Sequence, residues 1–351
     1  MIYYLLILIP YIFYIFEKKI FFKKIKFFWL FSFFIFLFLI GFRNNIGGDW
    51  NSYLINFENF TTFNYNIKFI NIFYVLIFIF NKINLNINIL YFLLSFFYLF
   101  TLYLYCSFFK YKWMALLSTM PYLTNIVSTG YVKQSLAISF LFLVILKFLE
   151  NKKNRNVITY LFLSIFSHIS SIIFFVITIN FKYFKYLLLI TIIFLVFFYK
   201  DIYNIVFPYL INPQKQSDGF YFRIITNILY LIPIFYLFLK NKLSYQESFL
   251  FISNGLFIIF TLIFILIIQE ASTFLDRFNL YMLILYPLYT NLIITYHNNF
   301  PLIRYLNLNS ILLIFLVLNL LYFFLWSNFG NAYIYWKNYD NILINLILNF
   351  F

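Results

Sequence analysis

Long apolar runs, separated by short polar segments, follow one another along the whole chain. A helix crosses the hydrocarbon core of a bilayer, about 30 Å thick, with about 20 apolar residues, or with somewhat fewer when polar residues flank it. Ten runs fit this requirement: 2–16, 27–42, 89–109, 113–128, 134–149, 187–199, 223–239, 248–268, 279–296 and 305–326. The pattern predicts an all-α, polytopic membrane protein in which residues 1–351 form a single integral membrane domain.

Two further apolar stretches do not fit one span each, and the basic residues indicate how they fold. Residues 69–80 are too short to cross, and 157–179 is interrupted by a serine-rich segment around His168. Lys and Arg are enriched in cytoplasmic loops. Most of them lie in six clusters: 17–26, 110–112, 147–156, 182–185, 240–242 and Arg304.

All six basic clusters face the cytoplasm in one topology. In it, 69–80 enters the membrane without crossing, and 157–179 forms a re-entrant pair of half-helices that meet at Ser167-His168. Such a break is tolerated where it lines a protein cavity. The alternative is a plain crossing at 157–179, which places one of two basic clusters outside. The preferred topology predicts that the chemistry lies on the outer face, where the main loops are 43–68, 200–222, 269–278 and 327–340.

The composition excludes several functional classes. Hydrophobic residues make up 65% of the chain and charged residues 10%, whereas a soluble domain has about 25% charged residues. A soluble enzyme, a disordered tail and a nucleic-acid-binding domain are therefore excluded, and the net charge of +15 reflects membrane orientation. We attribute the 27% aromatic content to AT-rich codons, which leaves the scarce Arg and Gly residues informative. Cys106, the single cysteine, gives neither a disulfide nor a cysteine metal site.

The strongest local motif runs from Gly41 to Trp50 and is followed by Tyr53. Arg43 offers a planar fork of donors that suits phosphate, and the adjacent Gly47 and Gly48 let the backbone approach a ligand. The structural alternative is a helix end and a turn, with Arg43 paired to Asp49. Composition alone favours neither interpretation.

Two other motifs follow along the chain. Gly130 to Ala137 is a tight outer turn that brings Lys133 and Gln134 to the start of a span, a position suited to an anion; an ordinary hairpin turn is the simpler explanation. Ser167 to Ser171 places His168 among hydroxyl groups in an apolar stretch, which is costly unless the imidazole faces a cavity or a partner. His168 therefore binds a sugar hydroxyl, assists proton transfer or hydrogen-bonds a neighbouring helix.

A fourth polar cluster lies near the outer ends of the later spans. It consists of Glu270, Asp276 with Arg277, and Asp218 with Arg223. The predicted topology gathers four cations on one face, where they suit a lipid-linked pyrophosphate: Arg43, Lys133, Arg223 and Arg277. No sequence motif for a metal or a nucleotide is present, so we expect metal-independent chemistry and no cofactor.

These motifs together resemble the EpsG-type polysaccharide polymerases, which are relatives of the Wzy O-antigen polymerases. Arg43 with Gly48-Asp49 and Tyr53 is similar to the family's first signature. Lys133-Gln134, Ser167-His168 and Arg277 with Tyr281 are similar to its later ones, in the same order. One departure is Lys133, where the family usually has Arg, so that the charge is kept and the bidentate fork is lost.

The resemblance implies a GT-C-like membrane glycosyltransferase of the bacterial inner membrane with its active site facing the periplasm. Such enzymes transfer an undecaprenyl-pyrophosphate-linked glycan to a sugar hydroxyl of the next lipid-linked repeat unit. A chain-length regulator is a further partner that the resemblance implies. It also implies residue roles: Asp49 and His168 for catalysis, Arg43, Lys133, Arg277 and Arg223 for pyrophosphate, and Tyr53, Gln134 and Tyr281 for sugar. The alternatives are a flippase or exporter of the lipid-linked oligosaccharide and an O-antigen ligase.

Overall fold

The computed structural model describes residues 2–19, 25–59, 71–151, 154–174, 217, 219–268, 272–301 and 304–349. These residues are helical almost throughout, apart from one two-stranded antiparallel ribbon. The predicted all-α, polytopic membrane fold is therefore confirmed. The predicted span 187–199 and most of the predicted outer loop 200–222 lie outside the described residues.

The helices of the first half follow the predicted spans closely. They are α1 (Ile2–Lys19), α2 (Ile25–Gly41), α3 (Trp50–Asn59), α4 (Ile72–Lys82), α5 (Ile87–Ser107), α6 (Lys112–Leu117), a π-helix (Met120–Val127), one turn (Ser128–Gly130), α7 (Val132–Leu149), α8 (Asn154–Ser167) and a 3₁₀ turn (Ile169–Ile172). The predicted span 113–128 is thus divided between α6 and the π-helix, which is buried along its length.

The second half of the chain adds further helices and closes onto the first. Its helices are α9 (Phe220–Leu239), α10 (Tyr245–Ile267), α11 (Ser272–Met282), α12 (Tyr286–Thr295), α13 (Leu308–Phe329) and α14 (Ile342–Asn349), with 3₁₀ turns at Leu283–Leu285, His297–Asn299 and Asn331–Tyr335. Strand β1 (Arg43–Asn44) pairs antiparallel with β2 (Asp340–Asn341), so that Arg43 lies opposite Asn341.

Several helices begin at polar side chains that accept backbone N–H groups. Asn71, Asn86 and Asn307 cap α4, α5 and α13. Ser244 caps α10 and forms a capping box with Glu247. The first N–H groups of a helix have no partner within it, and such caps satisfy them. The apolar runs therefore have defined starting points.

Six helical segments of the described chain are long and apolar enough to cross a membrane: Ile87–Ser107, Val132–Leu149, Phe220–Leu239, Tyr245–Leu266, Ser272–Thr295 and Leu308–Phe329. They differ in burial. The segment Ser272–Thr295 is 83% buried, whereas Phe220–Leu239 and Leu308–Phe329 are 28% and 33% buried. The α11–α12 segment is therefore central, and α9 and α13 present broad apolar faces to the surroundings.

The two irregular stretches fold much as their sequences indicate. Helix α4 has 11 residues, which is too short to span. Helix α8 ends at Ser167, His168 is extended, and a 3₁₀ turn begins at Ile169. The break expected at Ser167-His168 is thus present. The second half of the predicted re-entrant pair lies mostly outside the described residues, and its topology stays a prediction.

Candidate functional site

Three distant segments meet at a junction formed by Gly47, Gly130 and Trp336. Gly47 has a φ of +102°, and a Cβ there would lie 2.9 Å from the Gly130 carbonyl oxygen and closer still to its Cα. A Cβ on Gly130 would lie 2.8 Å from Cε2 of Trp336 and closer still to Cζ2. Only glycine fits at either position. We call this contact the glycine–tryptophan junction; it holds the first sequence motif against the second.

Arg43 lies beneath this junction, with 1% of its surface exposed. Its Nε donates to the Thr129 carbonyl at 2.6 Å, and its Nη1 donates to the Ile40 carbonyl and to Ser95 Oγ, both at 2.7 Å. Burial lowers the pKa of Arg43 to about 10. The guanidinium thus links α2, α5 and the turn at 128–130 from within the protein.

Lys133 lies in a cage of three aromatic rings, those of Tyr53, Phe73 and Tyr74. Its Nζ donates to the Tyr74 hydroxyl at 2.6 Å. It lies 4.1 Å from the Tyr74 ring centre, 5.3 Å from that of Tyr53 and 5.5 Å from that of Phe73. Aromatic faces attract a cation, so this aromatic cage stabilises the ammonium.

Asp49 is joined to the aromatic cage through Tyr53. The Tyr53 hydroxyl donates to Asp49 Oδ2 at 3.0 Å, and Tyr53 itself is buried. The Asp49 carboxylate is therefore oriented by the Tyr53 phenol. The structural alternative had paired Asp49 with Arg43, but Arg43 donates to Thr129, Ile40 and Ser95 instead. A carboxylate oriented in this way and partly exposed can accept a further hydrogen bond.

His168, at the break after α8, faces the same region. Its Nδ1 lies 2.6 Å from Ser170 Oγ and 2.9 Å from the Tyr281 hydroxyl. Burial, together with the positive charges of Arg277 and Lys133, lowers the pKa of His168 to about 3. The imidazole is therefore neutral near pH 7. If Nδ1 accepts from a hydroxyl, the proton is on Nε2, which is then a donor.

Arg223 and Asp276 form a buried ion pair between α9 and α11. Nε of Arg223 donates to Oδ1 of Asp276 and Nη2 donates to Oδ2, while Ser217 Oγ donates to Oδ2 at 2.7 Å. The guanidinium lies 4.8 Å from the ring centre of Tyr122. A Cβ on Gly219 would lie 2.6 Å from Nη2, so glycine permits this approach. Because Asp276 offsets the positive charge of Arg223, Arg223 has less charge to offer a pyrophosphate than expected from the sequence.

The remaining predicted residues fall into two groups. Arg277 follows Asp276 on α11 and is partly buried, within electrostatic range of His168. Gln134 is partly buried, and its Oε1 lacks a hydrogen-bond partner among the described residues. Asp218 and Glu270 lie outside the described residues. In the part of the chain that the structure describes, no group of three or more His, Cys, Asp or Glu side chains is arranged around a possible metal.

A polar cavity of about 400 Å³ opens between the segment 45–51 and the C-terminal segment 334–340, and we call it the outer cleft. It is lined by Asn45, Gly47, Gly48, Trp50, Asn51, Ile334, Tyr335, Asn338 and Asp340. Asp340 Oδ2 accepts from Asn44 Nδ2 at 2.8 Å, and the Tyr335 ring is 57% exposed. Amides, a carboxylate and an exposed ring are groups that bind carbohydrate hydroxyls and faces.

The sequence did not predict that the C-terminal segment contributes to this region. Trp336 is fully buried and its Nε1 donates to Thr129 Oγ1 at 2.9 Å. The backbone N–H of Gly47 donates to the Tyr335 carbonyl at 3.0 Å. Only the rarity of their residue types could have pointed to these residues in the sequence: Trp336 is one of 5 tryptophans and Asp340 is one of 10 acidic residues.

The EpsG family model matches residues 26–341, which is most of the chain. The matched range includes every predicted site residue, from Arg43 to Tyr281, and it ends at strand β2. No curated protein and no solved structure matches the chain.

Proposed function

Because the chain belongs to the EpsG family, we propose that it is a membrane glycosyltransferase that polymerises lipid-linked oligosaccharide repeat units. Family membership and the apolar helices make it a multi-pass membrane protein of polysaccharide synthesis. The observation that carries the finer proposal is that separate segments meet around Lys133 and His168. Lys133 donates to Tyr74 on α4, Asn71 at the start of α4 donates to the Ser167 carbonyl, and His168 contacts Tyr281 on α11, the helix of Arg277. The Asp49–Tyr53 pair borders the same aromatic cage.

Lys133 and Arg277 are the cations we assign to the pyrophosphate of the donor. The aromatic cage holds the Lys133 ammonium in place, and the ammonium has two donors beyond the one given to Tyr74. Cations fixed at this place would stabilise the charge that develops on the departing phosphate oxygen. Arg223, already paired with Asp276, and Arg43, buried beneath, would position the site.

Asp49 is the group we assign as general base. A sugar hydroxyl oxygen of the acceptor attacks the anomeric carbon of the donor glycan, and Asp49 takes the hydroxyl proton. The bond from that carbon to the phosphate oxygen breaks, and lipid pyrophosphate leaves with the electron pair. Tyr53 holds the carboxylate in place. No resident cofactor enters this scheme.

His168, Gln134 and Tyr281 complete the acceptor side of the proposal. A His168 that is neutral at pH 7 is a weak base, and its Nε2 proton suits a sugar oxygen instead. Gln134 Oε1, buried without a hydrogen-bond partner among the described residues, suits a sugar hydroxyl. Tyr281 orients the imidazole. The outer cleft, which is lined by Gly48 and Trp50 on either side of Asp49 in the chain, gives the glycan a path.

We place the reaction at the periplasmic face of the bacterial inner membrane, with an undecaprenyl-pyrophosphate-linked oligosaccharide as both donor and acceptor. The basic clusters between the spans favour a cytoplasmic position, and the site lies at the opposite ends of the helices. A chain-length regulator is a further proposed partner.

Deletion of the gene, with gel analysis of the surface glycan, tests the proposal. We expect the long-chain ladder to disappear while material with one repeat unit persists. Complete loss of the glycan would favour a flippase or a ligase, and an unchanged ladder would overturn the proposal.

A matched pair of variants tests the site itself. Lys133→Gln removes the caged cation, and we expect it to abolish the ladder at normal membrane levels. Lys82→Gln removes an exposed lysine on the neighbouring helix α4 and is expected to leave the ladder intact. Equal ladders in the two strains would remove Lys133 from the mechanism.

A further inference from the structure

An apolar groove of about 630 Å³ runs between α9 and α13, over a floor formed by the π-helix and α12. Its walls include Leu229 and Ile232 on α9 and Leu318 on α13. These three side chains are 61%, 60% and 53% exposed. The groove therefore opens sideways along helices that are apolar enough to span a membrane, and a hydrocarbon chain can enter it from the bilayer.

The groove is longer than one leaflet of the bilayer. Along α9 it extends from Phe222 to Tyr236, which is about 21 Å at 1.5 Å per residue. One leaflet contributes about half of the 30 Å hydrocarbon core, or about 15 Å. The groove is therefore longer than one leaflet's share of the hydrocarbon core, and a chain that enters it from the outer interface extends past the middle of the bilayer.

One end of the groove is polar. There the ring centres of Phe222 and Tyr322 lie 4.8 Å apart, and the Tyr322 hydroxyl is buried with no hydrogen-bond partner among the described residues. The next wall residue is Tyr122, which lies against the guanidinium of Arg223. A buried unpaired hydroxyl beside a buried ion pair indicates that a polar group completes this end of the groove.

This end of the groove adjoins the proposed reaction site. Tyr131 follows the turn at 128–130, and the π-helix that carries Tyr122 runs directly into this turn. Tyr131 also contacts Trp336, at 5.5 Å between ring centres. An apolar groove, a charged region and the outer cleft thus follow one another through the protein, in the order of the parts of a lipid-linked glycan.

We propose that this groove binds the polyprenyl chain of a lipid-linked substrate, with the head of the lipid leaving the groove at the polar end beside Tyr322 and the Arg223–Asp276 pair, towards the cations assigned above to its pyrophosphate. The proposal rests on the proposed function for the identity of the lipid. The unpaired polar end of the groove and its connection through Tyr131 and Trp336 to the outer cleft favour a lipid with a large glycan head over a phospholipid.

Photolabelling of the purified full-length protein tests this directly. The probe is a diazirine-bearing undecaprenyl pyrophosphate, and the labelled peptides are mapped by mass spectrometry. We expect labels in α9 and α13. Leu229→Trp and Leu318→Trp each fill the groove and should lower labelling about tenfold, the effect of excluding roughly two methylene groups.

Leu256→Trp is the matched control, because Leu256 is 59% exposed on α10 and does not line the groove. Normal labelling is expected in this variant. Labelling that neither groove variant lowers would overturn the proposal. Equal competition by excess phosphatidylglycerol and by unlabelled undecaprenyl pyrophosphate would also overturn it.

The labelling experiment requires no turnover, so it can fail or succeed independently of the proposed activity. If the ladder survives gene deletion while labelling behaves as expected, the polymerase proposal is wrong and the polyprenyl site is supported. If the ladder is lost but the groove is not labelled, the polyprenyl site is wrong and the polymerase proposal is supported.

Discussion

Replacing Gly130 by alanine perturbs the glycine–tryptophan junction with a single methyl group. The new Cβ would lie 2.8 Å from Cε2 and 2.9 Å from Cη2 of Trp336, and closer still to Cζ2. The indole cannot easily withdraw, because Trp336 is fully buried and its Nε1 donates to Thr129. Adding a methyl to a packed interior costs about 1–3 kcal/mol, and we expect the upper half of this range.

The assay is thermal unfolding of the detergent-purified protein, followed by fluorescence-detected size exclusion. Gly255→Ala is the control, since a Cβ there has nothing within 4 Å and Gly255 lies inside helix α10. Removal of a mid-helix glycine should be neutral or stabilise by up to about 1 kcal/mol. We expect Gly130→Ala to melt several degrees below the wild type, while Gly255→Ala melts at or above it.

A second substitution separates this steric contact from a general effect at position 130. Trp336→Phe removes the part of the indole that contains Cζ2. In that background Gly130→Ala should cost at least about 1 kcal/mol less than in the wild type, which is the coupling expected of two residues in contact. Equal melting of Gly130→Ala and Gly255→Ala, or strict additivity of the Gly130 and Trp336 substitutions, would refute the reasoning.

Three further predictions concern charge and the outer cleft. Burial and neighbouring cations lower the pKa of His168 from 6.5 to about 3, so between pH 3 and pH 6.5 the unfolded chain binds the proton more readily than the folded protein does. The free energy of unfolding should therefore fall by up to about 1.4 kcal/mol per pH unit as the pH falls below 6.5. His168→Gln should remove this pH dependence, which is measured by thermal melts at graded pH. Asp276→Asn leaves the buried Arg223 without its counter-charge and should lower the free energy of unfolding by about 3–5 kcal/mol, measured by the same melts. Replacing Arg223 by methionine in this variant should restore part of the lost stability. A double variant that is no more stable than Asp276→Asn would contradict the pairing. Tyr335→Ala should shorten the surface glycan chains on gels at normal membrane levels, whereas Tyr305→Ala, at a 78% exposed tyrosine outside the cleft, should not; equal chain lengths would exclude the ring from glycan binding.

Most of the helical architecture could be predicted from the order of the residues. Apolar runs that lack charge form helices in a membrane because the backbone has no other way to satisfy its polar groups there. The break at Ser167-His168 was also visible, since polar side chains interrupt an apolar run at that place. The bounds of α4 show the same local control, because Asn71 caps its start.

The partners of individual side chains could not be predicted in this way. Asp276 has Arg277 as its neighbour in the sequence, yet it pairs with Arg223, 53 positions away. Arg43 lies beneath the site instead of facing it, because its donors meet the carbonyls of Ile40 and Thr129 and the hydroxyl of Ser95. Periodicity reports which residues share one face of a helix, whereas these pairings depend on how separate helices pack.

The ribbon formed by β1 and β2 can assemble only after nearly the whole chain has been synthesised. Asn44 and Asp340, whose side chains are hydrogen-bonded across it, are 296 positions apart. At a synthesis rate of 5–20 residues per second, about 15–60 seconds separate their emergence from the ribosome. During that interval the first motif is already made but lacks its C-terminal neighbours. Biogenesis factors that act on this protein therefore encounter an early intermediate whose outer surface, around Gly47 and Gly130, is still uncovered.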